Sequence, residues 1–300
     1  MNKSNINGRS NRESFLYYTM LLPFAVLFFL FTVLPIFSSI ILSFTDFDMV
    51  STPRFNGVEN YARMLLDDKI FPITIKNTLF FAIITGPLGF ALSFVLAWFI
   101  NEFRPIIRTF LSFLFYAPAL VGNAYFVWQV AFSSDSYGYI NSILLSSGLI
   151  TEPITWLKTE MYVMPIIIIV QLWQGMGVSF LANISGLQNV NSEMYEAGSI
   201  DGIRNRWQEL WYITLPSMQH ILLFSAVMQI ASSFSVSAIA VQLAGYPSVG
   251  YAVDTIVSYL SDVGTVKYEM GYASALSVVL FLMMAFTRWI IGKLINAVGK

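Results

Sequence analysis

The sequence predicts an all-α membrane protein of six transmembrane helices, and three observations carry that reading. Hydrophobic residues make up 56% of the 300 residues and charged ones only 11%, with a mean hydropathy of +0.67, the balance of a chain whose solvent is largely lipid. Apolar windows long enough for the roughly 20 residues that a helix needs to cross a bilayer fall at 16–44, 73–101, 107–132, 159–185, 217–245 and 270–296. The alternation of apolar and polar residues that marks membrane β-strands is missing from these windows, which leaves a helical bundle as the architecture.

Residues 1–15, MNKSNINGRSNRESF, form a polar tail with three basic side chains. The apolar window that follows exceeds the roughly 7–15 residues of a signal-peptide core and lacks a small-residue cleavage site, so it reads as a retained span. Residues 16–300 then read as one six-helix membrane domain, because the outer loops 45–72, 133–158 and 246–269 are too short for a separate folded domain. Orientation follows from Lys and Arg. The tail (Lys3, Arg9, Arg12), the 101–108 loop (Arg104, Arg108), the 189–216 loop (Arg204, Arg206) and the C-terminus (Arg288, Lys293, Lys300) hold ten basic residues against six acidic ones. The opposite loops hold six against eleven, so both termini are expected in the cytoplasm.

Composition also removes several function classes. A net charge of −1 offers no basic surface for nucleic acid. With no cysteine and a single histidine, His220, thiolate chemistry, disulfides and Cys- or His-rich metal sites are excluded, and no metal site is expected. The chain has no GxxxxGK[ST] phosphate loop and so does not hydrolyse ATP by that route. A secondary transporter of a neutral solute is the alternative reading, disfavoured because the spans are nearly free of charge and show no internal repeat. An intramembrane enzyme would need a catalytic constellation, and none is found.

The 189–216 loop is the most polar cytoplasmic interval. Its segment Glu196–Pro216, EAGSIDGIRNRWQELWYITLP, carries five formal charges. Asn191 and Ser192 are good N-cap residues, with Glu193 and Glu196 in the turns where carboxylates favour a helix N-terminus. Gly202 is a natural bend. Trp207, Leu210, Trp211 and Thr214 then follow the spacing of one helix face, and Pro216 suits the first turn of a new helix. Two short helices around a glycine bend, lying at the membrane surface, are expected; periodicity alone also fits a plain amphipathic connection.

Glu196, Ala197, Asp201, Gly202, Ile213, Leu215 and Pro216 resemble the EAA signature of binding-protein-dependent ABC importer permeases. Gly186–Gln188, Trp207–Gln208, Trp211 and Ile213–Pro216 resemble its carbohydrate-uptake branch. Further similarities lie at Phe55–Tyr61, Asn77–Thr78, Asn141, Trp173–Gln174 and Gly271–Ala275, and Pro247–Tyr251 with 254–275 resembles oligosaccharide and polysaccharide permeases. Two departures stand out. Gly198 replaces the usual third alanine, and ten residues rather than nine separate Gly202 from Ile213. An extra helical residue rotates everything after it by about 100°, and its absorption is expected near Arg204–Arg206.

The resemblance implies a type I ABC importer permease fold in which this loop is a cytoplasmic coupling helix, with Glu196, Ala197, Gly198, Asp201 and Gly202 at the contact with an ATPase. It also implies a bacterial cytoplasmic-membrane location and no catalytic residue in this chain. The implied partners are a second, distinct permease subunit, two ABC ATPase subunits that bind the ATP and Mg, and an extracytoplasmic substrate-binding protein, besides membrane lipid. The chain itself is expected to hold no cofactor.

The remaining candidates are neutral polar residues within the spans. Ser225, Gln229, Ser232, Ser233 and Ser237 form one helical stripe, Gln171 and Gln174 share a face beside Trp173, and Asn123, Tyr125, Trp128 and Gln129 lie in the third window. Amides and hydroxyls pair with sugar hydroxyls and aromatic rings cover sugar faces, which suits a carbohydrate pathway through Asn123, Gln171, Gln174, Gln229, Ser232, Ser233 and Ser237. Small and polar residues also pack helices together in membranes, so the residues alone fit either role. Gly175-Met-Gly177 reads as a point of close helix approach.

Overall fold

The computed structural model describes residues 17–234 and 236–298, with side chains as far as Lys293. The tail 1–15 lies outside the described residues. Helix α1 (Tyr17–Leu42) widens into a π turn at Phe29–Val33 just before Pro35. The proline ring crowds the carbonyl four residues earlier, and the wider turn gives it room. After α2 (Glu59–Leu66) comes α3 (Phe71–Asn101), which opens with Pro72 and contains Pro87. Helix α4 (Pro105–Leu120) stops two residues past Pro118, and residues 121–125 form turns before α5 (Phe126–Ala131). The expected continuous span over 107–132 is therefore broken, with Val121 extended and Gly122 beside it.

Helix α6 (Tyr139–Ser146) precedes α7 (Glu160–Gln174) and α8 (Gly177–Gln188), an apolar pair bent by 41°. Helices α9 (Ser192–Ile200) and α10 (Arg206–Glu209) follow, and a π turn at Leu210–Thr214 leads into Leu215–Ser217. The chain closes with α11 (Gln219–Phe234), α12 (Ser237–Ala244), α13 (Ile256–Ser261) and α14 (Met270–Val298). Among the described residues, four stretches are long and apolar enough to cross a membrane: α1, α3, Gln219–Ala244 and Met270–Lys293. The bent α7–α8 pair makes a fifth.

The chain packs as two units. The first takes in residues 17–64 and Leu260–Val278. Its centre is Asn60, whose side-chain amide donates to the carbonyls of Ser43 (2.9 Å) and Thr45 (2.8 Å). Arg63 pairs with Glu269 at 2.8 Å and lies 4.3 Å above the ring of Tyr272. Gly271 donates its backbone N–H to Phe47, and a Cβ there would sit 2.1 Å from the Thr45 carbonyl oxygen.

The second unit, Leu65–Tyr259 with Val279 onward, is built around α3, against which α8 and α11 pack. One cluster joins Phe94 and Ala97 of α3 to Phe180 and Ile184 of α8 and to Leu210 and Met218. Another joins Phe81 to Ile167 and Val170 of α7 and to Val236 and Ala240. Apolar side chains lie outside as well as inside. The apolar window of α1 has no buried residue, whereas Thr74, Thr78, Thr85, Ser93 and Asn183 are buried, because lipid is the solvent and polar groups pair inside.

Gly271→Ala must push its new methyl into a backbone carbonyl, an overpacking cost of about 1–3 kcal/mol. The variant should unfold at a lower temperature in detergent. Gly292→Ala, whose Cβ meets nothing within 4 Å, should not.

Candidate functional site

Three helix interruptions of the second unit converge on one cavity of about 430 Å³. Helix α4 ends beside Ala119, α7 and α8 bend at Gly175–Gly177, and α11 stops at Phe234 before α12 resumes at Ser237. Ala119, Gln171, Gln174, Gly175, Ser232 and Ala238 line the space between them, and among the described residues no charged side chain does. Glycine is required at the bend: a Cβ on Gly175 would lie 2.6 Å from the Gln171 carbonyl and 3.1 Å from Ser232 Oγ. The Gln171 amide donates to the Ser232 carbonyl at 3.0 Å and reaches its hydroxyl at 3.2 Å, fixing α7 to α11. Gln174 Oε1 is shielded from solvent and accepts no hydrogen bond among the described residues. An unmet acceptor of this kind costs about 1–3 kcal/mol unless a ligand or water supplies a donor.

The polar stripe on α11 divides between two neighbours. Ser232 faces the cavity. Gln229 turns toward α3, donating to the Thr85 carbonyl at 3.4 Å, where the absence of a side chain on Gly89 admits its amide. Ser233 is buried and bonds back to the Gln229 carbonyl, and Ser225 exchanges hydrogen bonds with Ser179 of α8. Ser237 is buried next to the cavity residue Ala238, and Asn123 is exposed, accepting from the Tyr125 hydroxyl at 2.9 Å. From Trp173, next to Gln174, an aromatic ladder runs through Trp128 and Phe132 to Trp156, with ring centroids 5.6–6.0 Å apart. Trp128 is among the sequence candidates of the third window; Phe132, just past the end of α5, was missed, and its spacing of four from Trp128 was the available signal.

The polar loop forms the two short helices around a glycine bend. Asn191 caps α9 by accepting from the Glu193 N–H at 3.1 Å. Gly202 takes φ +96°, and Ile203 donates back to the Gly198 carbonyl at 2.9 Å, a left-handed helix stop that glycine allows. Asn205 caps α10 through Gln208, whose own side chain accepts from the Arg204 N–H.

The faces of α9 differ. Tyr195 and Gly198 point inward: the tyrosine hydroxyl bonds Thr214 Oγ1 at 2.9 Å, and a Cβ on Gly198 would meet Ile213 Cδ1 at 2.6 Å. Glu193, Glu196, Ala197 and Ile200 are exposed on the other side, Ile200 by 87%, and Glu196 has no ion pair among the described residues. Asp201 ends the helix and is exposed.

A π turn at Leu210–Thr214, where Leu215 donates to the Leu210 carbonyl, precedes Pro216 as the π turn of α1 precedes Pro35, while Arg204–Arg206 are held by side-chain caps. The widened turn brings Ile213 into the space that a methyl on residue 198 would occupy.

Sequence reasoning missed the anchors of this loop. Arg206 bridges Glu102 and Glu209, each at 2.8 Å, and Trp207 packs on Trp98 with centroids 5.3 Å apart. The Glu209 hydrogen bond, against desolvation and with help from Glu102, raises the pKa of the Arg206 guanidinium. Exposed ion pairs contribute only about 0–1 kcal/mol, so Arg206 chiefly sets the position of α10 under the end of α3.

Residues 89–298, more than two thirds of the chain, match the family described as "Binding-protein-dependent transport system inner membrane component". The chain belongs to this family. Among relatives of the permease, the "Probable ABC transporter permease protein YesP" of Bacillus subtilis (strain 168) is 31% identical over 285 residues, covering 92% of this chain and 89% of that protein. The "Arabinooligosaccharides transport system permease protein AraP" of the same organism is 29% identical over 279 residues, covering 92% and 87%. A crystal structure of "a bacterial ABC transporter involved in the import of the acidic polysaccharide alginate" shares the fold, with a TM-score of 0.79, 23% identity and coverage of 97% of this chain and 99% of that one. The permease is accordingly a non-catalytic inner-membrane transport component.

Gly198→Ala gains about 1 kcal/mol of helix propensity but loses about 1–3 kcal/mol to overpacking against Ile213. Net destabilisation is expected. Ile213→Val, which removes the offending methyl, should recover at least half of it. A double-mutant cycle by thermal unfolding should show a coupling of about 0.5–1.5 kcal/mol, and strict additivity would separate the two residues.

Proposed function

We propose that the permease is one subunit of an ATP-driven importer of a neutral oligosaccharide or polysaccharide fragment, and that substrate passes through the cavity at the helix breaks. The observation that carries this reading is the uncharged, amide-lined cavity with the unpaired Gln174 Oε1 at its wall. Amide and hydroxyl groups match sugar hydroxyls, and the Trp173–Trp156 ladder offers the flat apolar surfaces that sugar rings cover. Discontinuous helices suit such a site, since irregular backbone at membrane depth is tolerated where it lines a cavity. The relative named for arabinooligosaccharides supports the substrate class. Within this reading Gln171, Gln174, Ser232 and Ser237 border the pathway, Gln229 holds α11 against α3, Ser233 bonds back within α11, and Asn123 sits in the turns after α4.

In the same proposal the chain crosses the membrane six times, with α4 and α5 as the third span and both termini cytoplasmic. Its partners are a related second permease, two ATPase subunits that bind ATP and Mg²⁺, and an extracytoplasmic binding protein. The exposed face of α9 docks on the ATPase, Ile200 entering an apolar groove and Glu196 meeting a basic side chain. Because Tyr195 and Gly198 tie α9 to the π turn at the foot of α11, a displacement of α9 moves the helix that carries Ser232. Short helices held at an interface move as units.

Uptake of labelled oligosaccharide by cells carrying the complete importer tests both sites. Gln174→Leu should raise the half-saturating concentration about 5–10-fold, the loss of one hydrogen bond, with assembly unchanged. Glu196→Lys should abolish uptake while the protein still reaches the membrane; normal uptake by that variant removes Glu196 from docking.

A further inference from the structure

A second cavity of the same unit, about 680 Å³, lies between α11 and α14. Val227 and Ile230 form one wall, and Phe281, Met284 and Ala285 form the other. Its chemistry changes along α14. The Phe281 end is apolar, whereas Arg288, Trp289 and Lys293 make up the opposite end. At 1.5 Å per residue, Phe281 and Lys293 are about 18 Å apart, close to the roughly 15 Å depth of one leaflet's hydrocarbon. The cations therefore stand at the end of the Met270–Lys293 span, at headgroup level, and the apolar length runs one leaflet inward.

Three further features bear on the occupant. No acidic side chain lines the groove, and neither Arg288 nor Lys293 makes an ion pair among the described residues. Lys293 Nζ lies 3.8 Å above the Trp289 ring centroid, a cation and an indole of the kind that settle at the membrane interface. A Cβ on Gly292 would meet nothing within 4 Å, so the mouth between the two cations is open. Two unpaired cations at the head of an apolar trough of leaflet length complement a phosphate joined to an acyl chain. We infer that this groove binds an anionic glycerophospholipid, with one acyl chain between α11 and α14 and the phosphate held by Arg288 and Lys293.

The test is lipid retention by the full chain, read by native mass spectrometry after exchange into micelles containing equal amounts of phosphatidylglycerol and phosphatidylcholine. This readout does not depend on transport. The wild-type chain should hold one phosphatidylglycerol in preference to phosphatidylcholine by roughly 25-fold, about fivefold per cation. The double substitution Arg288→Gln with Lys293→Gln should remove the preference, and the charge-preserving Arg288→Lys with Lys293→Arg should keep it. Gly292→Phe, which fills the open mouth, should lower retention of both lipids. A photo-crosslinking amino acid at Ala285 should give an adduct of lipid mass in native membranes. Equal retention of the two lipids by the wild-type chain, undiminished preference in the neutral variant, or an adduct to a second protein chain would each overturn the assignment.

Discussion

In hydrocarbon a backbone group that leaves a helix has no water to pair with, and the arrangement of this permease follows from that constraint. A helix such as α1 can present apolar faces to lipid with no buried residue in its apolar window. Helices that break cannot. The ends of α4, α7 and α11 are gathered instead against one another, with glycines where the backbones approach and the Gln171 amide closing on Ser232. The cavity results from this gathering. Its polar lining follows from the same cause, because side chains near interrupted backbone must offer or accept hydrogen bonds.

The loop beneath the bundle obeys a complementary rule. A nine-residue helix is too short to be stable alone, so α9 depends on what its inner face touches. Tyr195 and Gly198 supply that contact, the first through Thr214 and the second against Ile213, both residues of the π turn. The outer face is then free to present Glu193, Glu196, Ala197 and Ile200 together. Arg206 and Trp207 bind the second arm to the end of α3. The loop is consequently joined both to α3 and to α11, the helices between which Gln229 is clamped.

Much of this was legible in the amino-acid sequence, and the exceptions have physical reasons. The apolar windows located the long helices, and Asn191 and Gly202 marked the start and stop of α9 because caps and left-handed turns select few residue types. The break at 121–125 was hidden, since Val121, Ala124 and Tyr125 keep the window apolar while the backbone turns. The stripe on α11 showed which residues share a helix face, but Gln229 and Ser232, only about 60° apart on it, still meet different neighbours, Thr85 of α3 and Gln171 of α7. Periodicity cannot say which helix stands opposite. The contact between Gly198 and Ile213 joins residues fifteen apart across a bend, a pairing that no local spacing announces.

The central claim is that the helix breaks enclose a pathway reached from water, while the rest of the polar stripe is sealed packing. The chain contains no cysteine, so single substitutions report without background. The decisive measurement is the labelling rate of Gln174→Cys, Ser232→Cys, Gln229→Cys and Ser225→Cys by a small, charged thiol reagent in membranes holding the assembled importer. The account predicts labelling at 174 and 232, slowed by the transported sugar, and none at 229 and 225. Labelling at 229 with protection at 174 and 232 would contradict it.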